Sequence, residues 1–417
     1  MPTEHPARPA SRARPERHAS RPSRGGPVTL LSLGHSCVDV YQGAVAALVP
    51  YFVAERAYTY AAASGLVLAA SLLSSVVQPL FGALTDRRAL PWLLPVSTLV
   101  GGAGVALVGI SDSYALAFAA IALSGIGVAA YHPEGARAAR AAAGDSHTAM
   151  GWYALGGNLG FATAPLLVTA VVATGGLAAS PLLVLPALLG AVLCATALRR
   201  AAPTGRGAGA GGATGTGGMP EAGESDWRSF LKLSGAVVCR SIVFVSLSTF
   251  VSLYVRQRTG GGPASGTAAL TVLYVGGAVG TVAGGRLAAR HGRVRVVQGA
   301  YALSVFAVAG VVFVPGPPVY LFVALTSAGL YVPFSLHITL GQDYLPTRVG
   351  TASGVTLGLT VSVGGLASPL VGALADATSL RTALAPLIAL PALGLLLLRG
   401  LPEPGARPAA AGSGEDR

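Results

Sequence analysis

A chain of 417 residues that is 52% hydrophobic and only 11% charged, with a mean hydropathy of +0.63, is far more apolar than an ordinary soluble domain, whose charged share is about 25%. Its formal net charge of +12 comes from 27 arginines and a single lysine scattered over short loops and the N-terminal tail, a pattern that orients a chain in a lipid bilayer rather than binding nucleic acid. The apolar content is mostly Ala, Leu and Val interspersed with 57 glycines, which excludes the alternating strands of a membrane barrel and suits helices packed through small residues.

Residues 1–27 are rich in Arg and Pro and lack an apolar run, so they read as a disordered basic cytoplasmic tail. The apolar run that follows is of full spanning length, unlike the short core of a cleaved signal peptide. With roughly 20 apolar residues needed per pass, the predicted spans are 28–54, 60–84, 91–110, 114–136, 148–173 and 180–198, then 229–255, 265–288, 294–314, 318–341, 350–375 and 380–398. Residues 199–227 between the two sets contain GRGAGAGGATGTGG. This stretch follows no strand and has no Gly-Lys-Ser/Thr, so it reads as a flexible cytoplasmic linker rather than a phosphate loop. A second cytoplasmic tail occupies 401–417. The predicted fold is an all-α polytopic membrane protein of twelve helices in two pseudo-symmetric six-helix bundles, 28–198 and 228–400.

Placing the N-terminus in the cytoplasm puts 23 of the 28 basic residues on the cytoplasmic side. Arg56, Arg256, Arg258 and Arg381 fall on the other side and Arg240 lies within a span. The asymmetry predicts an inner-membrane protein with both termini cytoplasmic. The halves also echo each other: Gly82 and Gly285, Leu84 and Leu287, Arg87 and Arg290, and Ser124 and Ser327 are each 203 positions apart. A second echo, PLFGALTD at 79–86 against PLVGALAD at 369–376, joins spans that run in opposite directions, as inverted repeats do.

Two six-helix halves, a central linker and Gly-x-x-x-Asp-Arg at 82–87 resemble the major facilitator superfamily of secondary transporters. The loop motif is partial: Arg88 is followed by Ala89-Leu90-Pro91, and the second copy keeps Gly292 and Arg293 but has Ala289 where Asp is usual. The stretches TYAAASGLVLAASLLSSVVQPLFGALTDR, GIGVAAYHPEGARAAR and GGNLGFATAPLL, with Arg240 and SLSTFVSLY, are similar to the fosmidomycin-resistance family of bacterial drug exporters. The resemblance implies alternating access of a small-molecule substrate, a cavity lined by the first, fourth, seventh and tenth helices, and a monomer without a cofactor.

The residues that carry the chemistry are polar groups inside the spans. His35, Asp39 and Gln42 recur at i, i+4 and i+7 and share one face of the first helix. A carboxylate near the bilayer centre costs roughly 2.5–3.5 kcal/mol on insertion scales and faces a cavity or a partner. Asp39 is expected to carry the coupling proton, with His35, His132 and Glu134 as relays. Glu134 has Arg137 or Arg140 within reach as an ion-pair partner, and Pro133 is expected to end or kink its helix. Arg240 lies near enough to the same depth to serve as counter-charge to Asp39 or as a contact for an anionic substrate. His337, Gln42, Tyr41, Tyr331 and Asn158 are candidate substrate contacts. Asp86, Arg87 and Arg290 are expected to gate the cytoplasmic face.

The three cysteines, Cys37, Cys194 and Cys239, lie in apolar runs and form no Cys-x-x-Cys pair, so neither a disulfide framework nor a metal site is predicted. Ser36 and Cys37 point roughly 100–200° away from His35 on one helix, which disfavours an intramembrane enzyme. The leading expectation is proton-coupled antiport of a small drug or antibiotic such as a phosphonate. The alternative is proton-coupled uptake of a small organic anion.

Overall fold

The computed structural model describes residues 25–110, 112–144, 146–201 and 225–404; most of the expected linker and tails lies outside the described residues. Hydropathy located the elements well, because in lipid a segment must satisfy its backbone hydrogen bonds internally. The helices are α1 (Gly25–Glu55), α2 (Tyr60–Arg87), α3 (Leu93–Ala106), α4 (Tyr114–Ala143), α5 (His147–Gly175) and α6 (Leu185–Ala201) in the first half. The second half holds α7 (Trp227–Thr259), α8 (Pro263–His291), α9 (Arg293–Phe313), α10 (Val319–Tyr331), α11 (Phe334–Tyr344), α12 (Val349–Ala377), α13 (Leu380–Leu384) and α14 (Ala389–Leu398). Among the described residues ten helical stretches are long and apolar enough to cross a membrane; one of these, Thr148–Arg200, has 53 residues and holds both α5 and α6. The shorter apolar helix Leu93–Gly109 completes the twelve passes.

Helix starts are capped where the sequence supplies a short oxygen-bearing side chain. Thr59, Ser146, Asp226 and Ser379 each accept a backbone N–H three residues on, which satisfies a donor that the helix leaves free. Gly260 ends α7 in the left-handed region, with φ +62°, where a side chain would be strained.

Two expectations about proline are corrected. Pro133 does not end α4, which runs on to Ala143; the imidazole of His132 donates to the Val128 carbonyl beside the site of the missing N–H. The tenth pass, expected as one helix over 318–341, is instead broken at Val332-Pro333 between α10 and α11. Pro333 cannot donate and its ring crowds the preceding turn. At this break the buried Arg240 Nε donates to the carbonyl of Leu330.

Twelve passes return the chain to the end at which it began. At this terminal end Glu403 accepts the backbone N–H groups of Arg293 and Val294 at the start of α9. The halves meet chiefly along α2 with α12 and α5 with α8, the pairs that a two-fold relation between the bundles exchanges. Hydrogen bonds join them at the far end: Tyr60 N and Ala61 N donate to Asp376, the Thr169 and Thr267 hydroxyls meet at 2.6 Å, and Gln257 donates to Tyr60 Oη.

The seam opens toward the terminal end. Gly358, Gly365 and Gly372 recur every seven residues on one face of α12. A Cβ at Gly372 would strike Ser64 and Tyr60 of α2, and one at Gly365 would strike Ser71, whereas nothing lies within 4 Å of Gly358, Gly354 or Gly350. The two halves are thus closed at the far end and splayed at the terminal end.

Candidate functional site

The face of α1 anticipated from spacing is built as expected for two of its three members. His35 Nε2 lies 3.3 Å from Asp39 Oδ2, and His132 of α4 brings its Nε2 to 3.3 Å from Asp39 Oδ1. Asp39 is only 5% exposed and His35 8%. No other trio of His, Cys, Asp or Glu groups among the described residues converges so closely.

The other ring nitrogen of each histidine fixes its orientation. His35 Nδ1 is 2.9 Å from the Tyr153 carbonyl and His132 Nδ1 is 2.7 Å from the Val128 carbonyl. A carbonyl only accepts, so both Nδ1 atoms carry hydrogen. Each Nε2 then faces a carboxylate oxygen, and every such contact needs one further proton to become a hydrogen bond. With none, the carboxylate faces two lone pairs; with two, both contacts are satisfied.

Aromatic rings from neighbouring helices enclose the cluster. Tyr153 of α5 stacks on His35 with ring centroids 4.3 Å apart, and Tyr131 lies 5.9 Å away on its other side. The Tyr131 hydroxyl meets Cys194 Sγ of α6 at 3.8 Å. The approach of α5 depends on GGNLG: a Cβ on Gly156 or Gly160 would strike the carbonyl of Ser32 or Ser36, and one on Gly157 would meet Asp39 and His35. Tyr153 and Gly157 were not legible as site residues, since one reads as packing and the other as a small helix contact.

Just beyond the cluster, toward the far end, lies a space between the halves that is partly open to solvent. Tyr41 and Gln42 line it from α1, Ser71 and Ser74 from α2, Val128 from α4 and Phe161 from α5. Phe244 and Ser248 of α7, Tyr274 of α8 and Val361 of α12 close the other side. Val128 therefore belongs to both features: its side chain lines the cavity and its carbonyl holds His132. The wall is apolar and aromatic with a few hydroxyls, a surface suited to a compact amphipathic molecule.

Several expected site residues lie elsewhere. Glu134 does not join the cluster. It is fully buried on the opposite side of α4 from His132 and pairs with Arg137. Arg240 does not pair with Asp39: among the described residues no carboxylate lies within ion-pair distance of it, and Phe244, Tyr331 and Phe334 lie against its guanidinium. His337 packs beside Tyr301, whose hydroxyl is 3.4 Å from its Nε2, and Tyr331 lies against Gly277 of α8. Neither these two residues nor Asn158 lines the cavity. Tyr41 lines it with its ring, but its hydroxyl is committed to the Leu183 carbonyl. Of the gating group, the side chain of Asp86 lies outside the described residues, and Arg87 and Arg290 are exposed without ion pairs among those described. Among the described residues, Arg293 pairs with Asp343 and with Glu403 at the terminal end.

Residues 31–369 match the sequence pattern of the Major Facilitator Superfamily. The chain belongs to this superfamily. It is 29% identical over 379 residues to the fosmidomycin resistance protein of Escherichia coli (strain K12), spanning 88% of this chain and 91% of that protein. An MFS-type transporter of Bacillus subtilis (strain 168), YfnC, is 28% identical over 377 residues, with 88% and 90% covered. Among solved structures, a bacterial homologue of the human lysosomal transporter Spinster superposes with a TM-score of 0.74 at 14% identity, covering 91% of this chain and 97% of that one. The nucleoside transporter NupG gives 0.71 at 12% identity, with 91% and 100% covered. As an MFS protein the chain is a multi-pass transporter handling a small-molecule substrate, not an enzyme.

Proposed function

We propose that this transporter exports a small drug or antibiotic across the inner membrane in exchange for protons, working as a monomer with both termini in the cytoplasm. The observation that carries the reading is the convergence of His35, Asp39 and His132 at a single carboxylate beside the cavity. Two imidazoles, each held by a backbone carbonyl, around one buried carboxylate form a proton store that empties and fills as the halves rock. With the termini cytoplasmic, the splayed terminal end makes this structure the inward-open state.

Antiport requires protons and substrate to exclude each other, because a ligand shifts a conformational equilibrium only by its differential affinity. The cavity provides the means. Gln42 lies three residues beyond Asp39 on one face of α1, and Val128 lies four residues before His132 on α4. A substrate seated against both turns disturbs the contacts that a protonated cluster needs. The 29% identity to a protein named for fosmidomycin resistance makes a fosmidomycin-like phosphonate the first candidate substrate. In inside-out vesicles acidified within, fosmidomycin is expected to release protons with the wild-type protein and not with Asp39→Asn. Equal release by both removes the coupling role of Asp39.

A second reading, proton-coupled uptake of a small organic anion, is favoured by one observation. Arg240 is a buried cation with no carboxylate against it among the described residues. In that case the same assay run with the anion outside gives proton movement in the direction of the anion rather than against it.

A further inference from the structure

Arg240 is 2% exposed, and its Nη1 has no hydrogen-bond partner. Its Nε is used by the Leu330 carbonyl at the break between α10 and α11. Three ring faces lie against it, Phe334 at 5.3 Å, Phe244 at 5.8 Å and Tyr331 at 6.0 Å from the guanidinium carbon, with Tyr301 and Ser304 on its other side. Aromatic faces attract a cation but do not replace a hydrogen-bonded counter-charge, and arginine does not shed its proton. A buried guanidinium with a free donor is an incomplete site.

Its position says what completes it. Arg240, Phe244 and Ser248 recur at i, i+4 and i+8 along one stripe of α7. Phe244 and Ser248 line the central cavity, and Arg240 does not. Phe244 therefore stands between the cavity and the guanidinium, with its ring 5.3 Å from that of Tyr331. The space on the other side of Arg240, next to Tyr301 and Leu330, is small, and the larger space lies on the cavity side, past Phe244.

We infer that Arg240 is a screened anion subsite: it receives an oxyanion group of the substrate, a phosphonate or carboxylate, when Phe244 turns away from it. The inference rests on the transport reading above and names the substrate chemistry within it. The guanidinium fork matches the paired oxygens of such a group. The carboxylate on one side of the cavity's terminal-side floor and the guanidinium on the other then act on different parts of one cycle, Asp39 on protons and Arg240 on the anion.

The test uses thermal unfolding of the full-length protein in detergent, at fixed pH and ionic strength, with inorganic phosphate, methylphosphonate or fosmidomycin set against sodium chloride. It needs no proton gradient, so it can fail while coupling stands, and coupling can fail while it succeeds. The wild-type protein is expected to melt higher with methylphosphonate and fosmidomycin, and Arg240→Gln is expected to show no such rise. Arg240→Gln should itself fold, since it removes an unpaired buried charge. Arg240→Lys, lacking the fork, should need roughly tenfold more ligand for the same rise. Phe244→Ala, which removes the screen, should respond at lower concentration than wild type. Equal stabilisation of wild type and Arg240→Gln overturns the inference, as does stabilisation by inorganic phosphate alone, which would mark a site for a free anion. If Arg240→Gln does not fold, the Phe244→Ala comparison decides: a response unchanged from wild type overturns it and a stronger one supports it.

Discussion

The carboxylate of Asp376, at the far end of α12, accepts the backbone N–H of Tyr60 at 2.8 Å and so caps the first turn of α2 in the opposite half of the molecule. Ala61 N donates to its second oxygen at 2.9 Å. A charged cap on a helix N-terminus is favourable both as a hydrogen bond and through the helix dipole. Because it crosses the seam, it exists only while the far end is closed.

Asp376→Asn keeps the shape and removes the charge, so it is expected to loosen far-end closure. A loss of about 1 kcal/mol shifts the balance between open and closed states by about fivefold. Spin labels placed on either side of the far end should show a larger share of long distances in the variant. An unchanged distance distribution contradicts a latching role.

Gly157→Ala places a methyl group against Asp39 Oδ2 and the His35 ring, at 2.5–2.9 Å from their atoms. Overpacking of this kind costs about 1–3 kcal/mol, and here it also displaces the proton cluster. We expect a lower melting temperature in detergent together with loss of coupled proton movement. Gly151→Ala on the same helix, with nothing within 4 Å, should leave both unchanged.

Removing the two partners of the Glu134–Arg137 pair should have unequal effects. The Glu134 side chain is fully buried, whereas that of Arg137 is 40% exposed. Arg137→Ala strands a buried carboxylate and is expected to cost about 3–5 kcal/mol. Glu134→Gln leaves only a solvated guanidinium and should cost about 1–2 kcal/mol. Melting of both variants in detergent checks the order. The reverse order contradicts the assignment of Glu134 as the buried member of a structural pair.

At the entry to α7, the Ser229 hydroxyl and N–H hold the carboxyl of Asp226 below its usual pKa. A depressed carboxylate pKa contributes stability that is present above the ordinary carboxylate range and lost as pH falls through the folded-state value. Asp226→Ala is therefore expected to cost about 1 kcal/mol at neutral pH. The gap between variant and wild type should close under acid conditions. A pH-independent gap contradicts capping by the ionised form.

The helices were legible because lipid imposes one requirement, a long apolar segment, and the composition meets it twelve times. The break at Pro333 was not, because proline alone does not decide: Pro50, Pro79, Pro133, Pro165 and Pro369 all lie inside continuous helices. The pairing of His35 with Asp39 followed from a four-residue spacing within one helix. That His132 joins them, while Arg240 does not, depends on the rotation of α4 and α7 about their own axes. Position along a helix gives depth but not azimuth, so Asp39 and Arg240 looked like partners from depth alone. Asp376 was visible only as the last letter of an internal echo, since its role lies in a contact across the seam.

The most direct test of the central claim measures proton release on substrate binding, without a membrane. Fosmidomycin is added to the purified protein in weakly buffered, metal-free detergent solution containing a pH dye, at a pH where the cluster is partly filled. The account predicts that the wild-type protein releases protons as the ligand binds, and that Asp39→Asn binds the ligand but releases none. Ligand binding to wild type without proton release, or equal release by Asp39→Asn, would contradict proton exchange at the His35–Asp39–His132 cluster.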